Sequence, residues 1–218
     1  MSDSRAETRR KLRELLETRA AQKRDVTLST GAKSSFYFDC KPVTLSADGA
    51  CLTGTAFLNA LDELPEYPEA VGGRTLGADP IVSAMVVLSQ VRGRPIQGFY
   101  VRKEPKSHGT KRLIENPPKS GAKVVIVDDV VTSGGSVLKA VAEARAAGCE
   151  VVGVMALVDR EEQDGEARIL GEVGKDKYVP LFRRSDFPRI ADTANARRTT
   201  MKSVKPSVPA IPAPASGA

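Results

Sequence analysis

The sequence predicts an α/β protein: a twisted parallel sheet flanked by helices. Two observations carry this. The runs Val124-Val125-Ile126-Val127 and Val151 to Val158 are apolar almost without interruption, as in strands buried on both faces. Around them, strand-like and helix-like segments alternate, and that order implies parallel strands joined by helical crossovers.

The elements follow in turn. Ser4-Arg5-Ala6-Glu7 reads as a capping box, and Leu12, Leu15, Leu16 and Ala20 recur at helical spacing, so 5–24 is expected to be an amphipathic helix. The aromatic stretch Phe36-Tyr37-Phe38-Asp39 reads as a strand. Ser46 opens a second helix, with Leu58, Leu61 and Leu64 on one face, closed by Pro65. Ala70 to Gly73 is a short strand running into a glycine turn, Pro80 to Val91 an apolar helix, and Ile96 to Val101 a strand. Residues 103–120, charged and rich in Gly and Pro, are expected to form a long loop. Helix 136–147 ends at Gly148. Beyond Asp159 the pattern weakens to a strand at Tyr178 to Phe182 and a short helix at 185–198. From about Lys202 the chain is Pro, Ala, Ser and Val, a composition that cannot bury enough to order itself.

The 218 residues suffice for one domain with a small appendage, placed at 1–200 with a tail at 201–218. The formal charge of +6 suggests an anionic partner, while aromatics at 5% and the lack of Trp argue against a base-stacking platform. One His and the scattered Cys40, Cys51 and Cys149 cannot assemble a zinc site by the usual spacings. They read as reduced thiols of a cytoplasmic protein. The charged N-terminus does not resemble a signal peptide, and the longest apolar run, Ile81 to Leu88, is about half the length that spans a membrane. No membrane partner is expected.

The chemistry centres on residues 124–136. A buried strand ends in adjacent carboxylates, Asp128 and Asp129, and a turn of Val130, Val131, Thr132, Ser133, Gly134, Gly135 and Ser136 opens a helix. Ligands of open α/β sheets bind at the carboxyl ends of strands, and N–H groups at a helix start hold phosphate. Gly134 and Gly135 allow close backbone approach, and the hydroxyls add donors. The two acids would repel that phosphate, but they suit sugar hydroxyls, or Mg²⁺ through water. Phosphate beside hydroxyls describes a ribose 5-phosphate. A plain solvated turn is the competing reading, and no Gly-Lys-Ser/Thr follows to make a Walker A loop.

This segment resembles the signature of the type I phosphoribosyltransferases, which use 5-phosphoribosyl 1-diphosphate (PRPP). Three further segments point within that family. Arg102-Lys103-Glu104-Pro105-Lys106-Ser107-His108-Gly109 resembles the R-K-E-x-K-x-H-G loop of orotate phosphoribosyltransferases, although most charge runs are only solvated loops. Ser34-Ser35-Phe36-Tyr37-Phe38-Asp39 resembles their S-P-[FIY]-Y-[FIV]-D strand, with Ser35 at the usual proline; a hydrophobic strand would look the same. Leu157-Val158-Asp159-Arg160 matches the strand end whose arginine meets the orotate carboxylate, a pairing arginine's planar fork suits, though a surface ion pair is the plainer reading. Gly72 to Pro80 resembles the G-G-x-T-x-G-A-D-P turn of one branch, which would cup the diphosphate. Gly77 and Ser29 stand where other relatives carry lysine.

The resemblance implies the phosphoribosyltransferase fold with a small hood from about 25–45 and 165–200. It implies an enzyme joining orotate to PRPP in pyrimidine synthesis, with Mg²⁺ as cofactor held mainly by PRPP and not by direct side-chain ligation. Arg102, Lys103, Lys106 and His108 would stabilise the departing diphosphate, with Lys106 or His108 as its proton donor. Asp128 and Asp129 would hold the ribose, 130–136 the phosphate, and Tyr37, Phe38, Thr132 and Arg160 would border orotate. The family's loop reaches into a neighbouring subunit, implying a homodimer with shared sites. A purine or uracil phosphoribosyltransferase would share the cradle but lack the charged loop and Arg160. A nucleic-acid-binding regulator on this fold would need an added DNA-binding element, and no helix-turn-helix pattern is present; no nucleic-acid partner is expected.

Overall fold

The computed structural model describes residues 2–22, 26–27, 33–34, 37–104 and 113–187. Helix α1 (Ser2–Leu15) widens into a π turn at Leu16–Ala20. It is already running at Ser2, so the expected capping box does not form: the Ser4 carbonyl accepts from Thr8 Oγ1 at 2.9 Å, and Glu7 pairs with Arg10 at 2.8 Å. The helix also stops four residues short of expectation, because the chain at β1 (Ala21–Gln22) leaves to pair with another segment. Strands β2 (Val26–Thr27) and β3 (Lys33–Ser34) form one antiparallel ladder, and β1 forms another with β4 (Tyr37–Phe38).

A short helix α2 (Lys41–Thr44), unforeseen in the sequence, leads into α3 (Ala47–Ala60). The Ser46 hydroxyl accepts from the Gly49 N–H at 3.2 Å, the N-cap the sequence indicated. A 3₁₀ turn at Leu61–Glu63 follows. Then come β5 (Ala70–Arg74), α4 (Asp79–Val91) and β6 (Gln97–Val101). The expected loop at 103–120 contains a strand, β7 (Ile114–Glu115), antiparallel to β6. Strand β8 (Lys123–Val131) leads to α5 (Gly135–Ala146), after which the positive φ of 83° at Gly148 turns the chain into β9 (Glu150–Asp159). Helix α6 (Gly165–Val173), missed in the sequence, precedes β10 (Tyr178–Arg183) and a 3₁₀ turn at Arg184–Asp186.

The main sheet has the order β10-β9-β8-β5-β6-β7, parallel except at β7. Its pleat explains the unbroken apolar runs. Val125, Val127, Met155 and Leu157 pack with Leu12, Leu16, Phe57 and Met85 in one core, and Val124, Ile126, Val154 and Ala156 pack with Val137, Val141 and Ile169 in the other. Residues 165–187 form α6, the edge strand β10 parallel to β9, and the 3₁₀ turn that follows. The rest of the expected helix at 185–198 and the tail lie outside the described residues. Among the described residues, no helix is long and apolar enough to cross a membrane.

β5 continues on one side to β6, and β8 on the other to β9, so the strand order reverses between β5 and β8. Glycine lets the two strands close up there. A Cβ on Gly73 would lie 2.2 Å from the Val127 carbonyl and 2.4 Å from the Ala78 Cβ. Gly73→Ala is therefore expected to cost on the order of 1–3 kcal/mol, as overpacking does. Urea unfolding would measure it, and an unchanged midpoint would show that the strands can separate freely.

Candidate active site at the strand-order reversal

The reversal between β5 and β8 is where an open sheet leaves a crevice beyond its strand ends. The acid pair stands there, on the strand itself. β8 runs on through Asp128 and Asp129 to Val131, with Asp128 beside Ala156 and Val131 beside Asp159 of β9. The sequence reading ended the strand at the two carboxylates; β9 is long enough to extend the ladder past them to Val131.

Asp128 is buried at 6% exposure, and its Oδ1 accepts from the Asp129 N–H at 3.0 Å. Burial, and then the Asp129 charge, push its carboxyl well above the usual carboxylate range, while a hydrogen bond from the Ser136 side chain works the other way. Asp129 is half-buried, with Oδ1 accepting from the Val130 N–H at 2.9 Å. The turn after β5 closes on the pair: a Cβ on Gly77 would sit 2.3 Å from Asp129 Oδ1 and 3.2 Å from Asp128 Oδ1. An added Cβ at position 77 would displace the Asp129 carboxylate, so glycine there lets the acids sit where they do. From the other side, the Cys40 thiol meets the Asp129 carbonyl at 4.0 Å. Burial, with Asp129 next, raises that thiol well above its ordinary value, which makes it a packing group and not a nucleophile.

The expected cradle follows directly. Thr132 and Ser133 are half-buried, Gly134 is buried with φ of 72°, Gly135 opens α5, and Ser136 is exposed. Helix α6 holds this turn from behind. A Cβ on Gly165 would lie 2.3 Å from the Thr132 carbonyl, and Arg168 Nη1 donates to the Ser133 carbonyl at 2.5 Å. The first N–H groups of α5 lack intrahelical acceptors, as at any helix start, and are the groups that would hold an anion. Sequence reasoning missed α6 entirely; the only signal was Ile169 and Val173 at helical spacing after a glycine.

Arg160 closes the next strand end. Its N–H donates to the Val131 carbonyl at 2.9 Å, which puts it beside the cradle. It is not a surface residue: its side chain is 4% exposed and pairs with Glu162 at 3.1 Å. Glu162 also accepts from Arg184 Nη1 at 3.1 Å. Asp159 is fixed by the Tyr178 hydroxyl at 2.7 Å and the Glu161 N–H at 2.8 Å.

Arg102 follows β6, half-buried, with Nη1 on Glu115 at 3.2 Å and Nε on the Glu104 carbonyl at 3.3 Å. Lys103 is exposed. Lys106 and His108 lie outside the described residues. Tyr37 pairs through its backbone with Gln22 in the β1–β4 ladder. The Phe38 ring packs into the core, 4% exposed and 5.2 Å from the ring of Phe187. Its strand lies outside the main sheet, and the aromatic cluster of Phe38, Phe182 and Phe187 seats it.

Comparison with known proteins agrees with this geometry. Residues 82–175 match the family model of the phosphoribosyl transferase domain. The chain is 47% identical over 157 residues to the orotate phosphoribosyltransferase of Rhodopirellula baltica, covering 70% of this chain and 81% of that one. It is 46% identical to that of Sorangium cellulosum, covering 77% and 88%. Among solved structures, the Mycobacterium tuberculosis orotate phosphoribosyltransferase in complex with PRPP superposes with a TM-score of 0.66 at 30% identity, covering 83% of this chain and 92% of that one.

The buried acid pair yields a pH prediction. Burial and the Asp129 charge favour the protonated form of Asp128 in the folded protein, whereas the unfolded chain releases this proton above about pH 4. The stability this contributes is fully present below that pH and is lost as pH rises through the raised folded value. Asp128→Asn should therefore raise the melting temperature of the ligand-free protein at pH 7 and flatten its decline from pH 4 upward. A melting temperature that falls at pH 7 would mean the carboxylate is charged and stabilised in place.

Proposed function

The chain belongs to the orotate phosphoribosyltransferase family, and on that premise we propose that it transfers ribose 5-phosphate from PRPP to orotate, giving orotidine 5′-phosphate and diphosphate in pyrimidine (UMP) synthesis. The observation that carries this reading is the acid pair on β8 beside a glycine-rich helix start, with Arg160 on the adjoining strand end. The turn from Thr132 to Ser136 would bind the 5-phosphate, and Asp128 and Asp129 the ribose hydroxyls. Arg160 beside Thr132 would take the orotate carboxylate.

Breaking the bond between C1 and the diphosphate oxygen builds positive charge on the ribose and negative charge on the leaving group. Groups that bind those charges more strongly in the transition state accelerate the step. Arg102 and Lys103, which follow β6, would meet the diphosphate, and Lys106 and His108 come next in the sequence. Either of the latter would donate the proton to it. Mg²⁺ would take most of its oxygen ligands from PRPP and water, with Asp128 and Asp129 reaching it through water. When bound, the ion would neutralise the departing diphosphate.

An assay of orotate loss with PRPP and Mg²⁺ tests the reading. Asp129→Asn is expected to fold normally and lose on the order of 10²-fold or more in kcat, the scale for a group that acts in the transition state. No orotate consumption by the native protein would overturn the assignment.

A homodimer with shared sites belongs to the same proposal. A groove of about 920 Å³ runs between α2, α3 and α4, lined by Leu45, Ala50, Leu76, Val87 and Leu88 among others. Leu45, Leu76 and Val87 are 69%, 67% and 63% exposed, an apolar surface of the kind that a second copy would cover. Leu76 adjoins Gly77, so a partner seated there would border the acid pair. The scattered cysteines support a cytoplasmic location. If sites are shared, Lys106→Ala and Asp129→Asn should complement each other. About half of randomly re-associated dimers are mixed, and each mixed dimer has one intact site, so roughly a quarter of native activity should return. Mixed dimers that form, verified by mass, and stay inactive would place loop and cradle in one subunit.

A further inference from the structure

We propose that Glu162 is a resident stand-in for the substrate carboxylate: it occupies the Arg160 guanidinium in the empty site, yields it when orotate binds, and keeps Arg184 as its own partner. This rests on the reading of Arg160 as the residue that receives the orotate carboxylate.

The backbone fixes the arrangement. The Asp159 carboxylate is held between the Tyr178 hydroxyl and the Glu161 N–H, and Glu161 turns the chain with φ of 54°. Glu161 is tied in turn to Ser185, accepting from its N–H at 2.9 Å and its hydroxyl at 3.1 Å. Between these two posts Glu162 faces back onto Arg160, two residues earlier, and across to Arg184. The two arginines differ in their surroundings. The Arg160 side chain is 4% exposed and that of Arg184 35%, with Glu162 at 21% between them.

That gradient favours an exchange. Stripping a buried arginine of its carboxylate would strand a charge, which is strongly unfavourable. Replacing one carboxylate by another avoids this, because Arg160 stays paired throughout. The displaced Glu162 is not stranded either, since it retains Arg184 at the more hydrated end. A base without a carboxylate has nothing to offer in exchange and leaves Glu162 in place. The device keeps the empty pocket electrically satisfied and sets orotate affinity below what an unopposed arginine would give.

The test is a double-mutant cycle on the full-length enzyme, with KM read separately for orotate and PRPP. Glu162→Gln removes the competing charge and is expected to lower the orotate KM on the order of fivefold, with the PRPP KM unchanged. Arg184→Ala strands the displaced carboxylate and should raise the orotate KM by a similar factor, an effect that disappears in the Glu162→Gln background. Should Glu162→Gln fail to fold in a thermal melt, Glu162→Asp, whose shorter side chain loosens the contact, should shift the orotate KM in the same direction. A rise in orotate KM on Glu162→Gln, or an Arg184→Ala effect of equal size in both backgrounds, overturns the proposal and makes Glu162 a support for Arg160. Arg160→Ala separates the two layers: if it leaves the orotate KM unchanged in an active enzyme, the assignment of Arg160 fails, and Glu162 falls with it.

Discussion

Two adjacent carboxylates on an interior strand impose the constraint around which the rest of the site is built. The two carboxylates converge beside Gly77, so each must tolerate the charge of the other. Asp128 turns into the protein, where desolvation and its neighbour's charge disfavour ionisation, and Asp129 stays half-exposed at the crevice. Such a pair is tolerable only where the surrounding backbone supplies donors and leaves room. The N–H groups of Asp129 and Val130 supply the donors, and Gly77 leaves the room. The glycines on β5 and its turn therefore belong to the same device as the acids, though fifty residues separate them in sequence.

The second half of the site depends on what lies behind it. Helix α6 packs Gly165 against the Thr132 carbonyl and donates from Arg168 to the Ser133 carbonyl, and β10 brings Tyr178 to Asp159. Both elements come after the segments that carry the chemistry. Their part is to decide which way the cradle and Arg160 face. A buried hydrogen bond such as Tyr178 to Asp159 is costly to leave half made, so the last turn of β9 is held in one conformation. Rigidity at this end is what an oriented contact to a planar substrate requires. The family relationship and the geometry thus agree from independent directions: the matched domain model at 82–175 spans the acids, the cradle and α6 together.

The aromatic segment shows where residue type and role part company. Tyr37 and Phe38 are adjacent in a motif that resembles a base-bordering strand, yet the Phe38 ring packs into Phe187. Residue type alone does not say which aromatic of the segment meets the core. Phe187 lies 149 residues further along and closes the question by occupying one side.

What the sequence determined by itself is whatever short-range chemistry encodes. Periodicity and capping placed α3, α4, α5 and most of the sheet strands, and the run from Val124 to Ser136 located the acid pair and the phosphate turn. What the sequence could not decide depended on partners distant in the chain. The true end of β8 needed β9 beside it, and α1 stopped early because β1 pairs with β4. Gly77 read as a missing contact until Asp129 stood over it. Arg160 looked like a surface residue until Glu162 and the end of β10 enclosed it. A hydrogen-bond ladder and a desolvated ion pair exist only between segments, and only the folded chain brings those segments together.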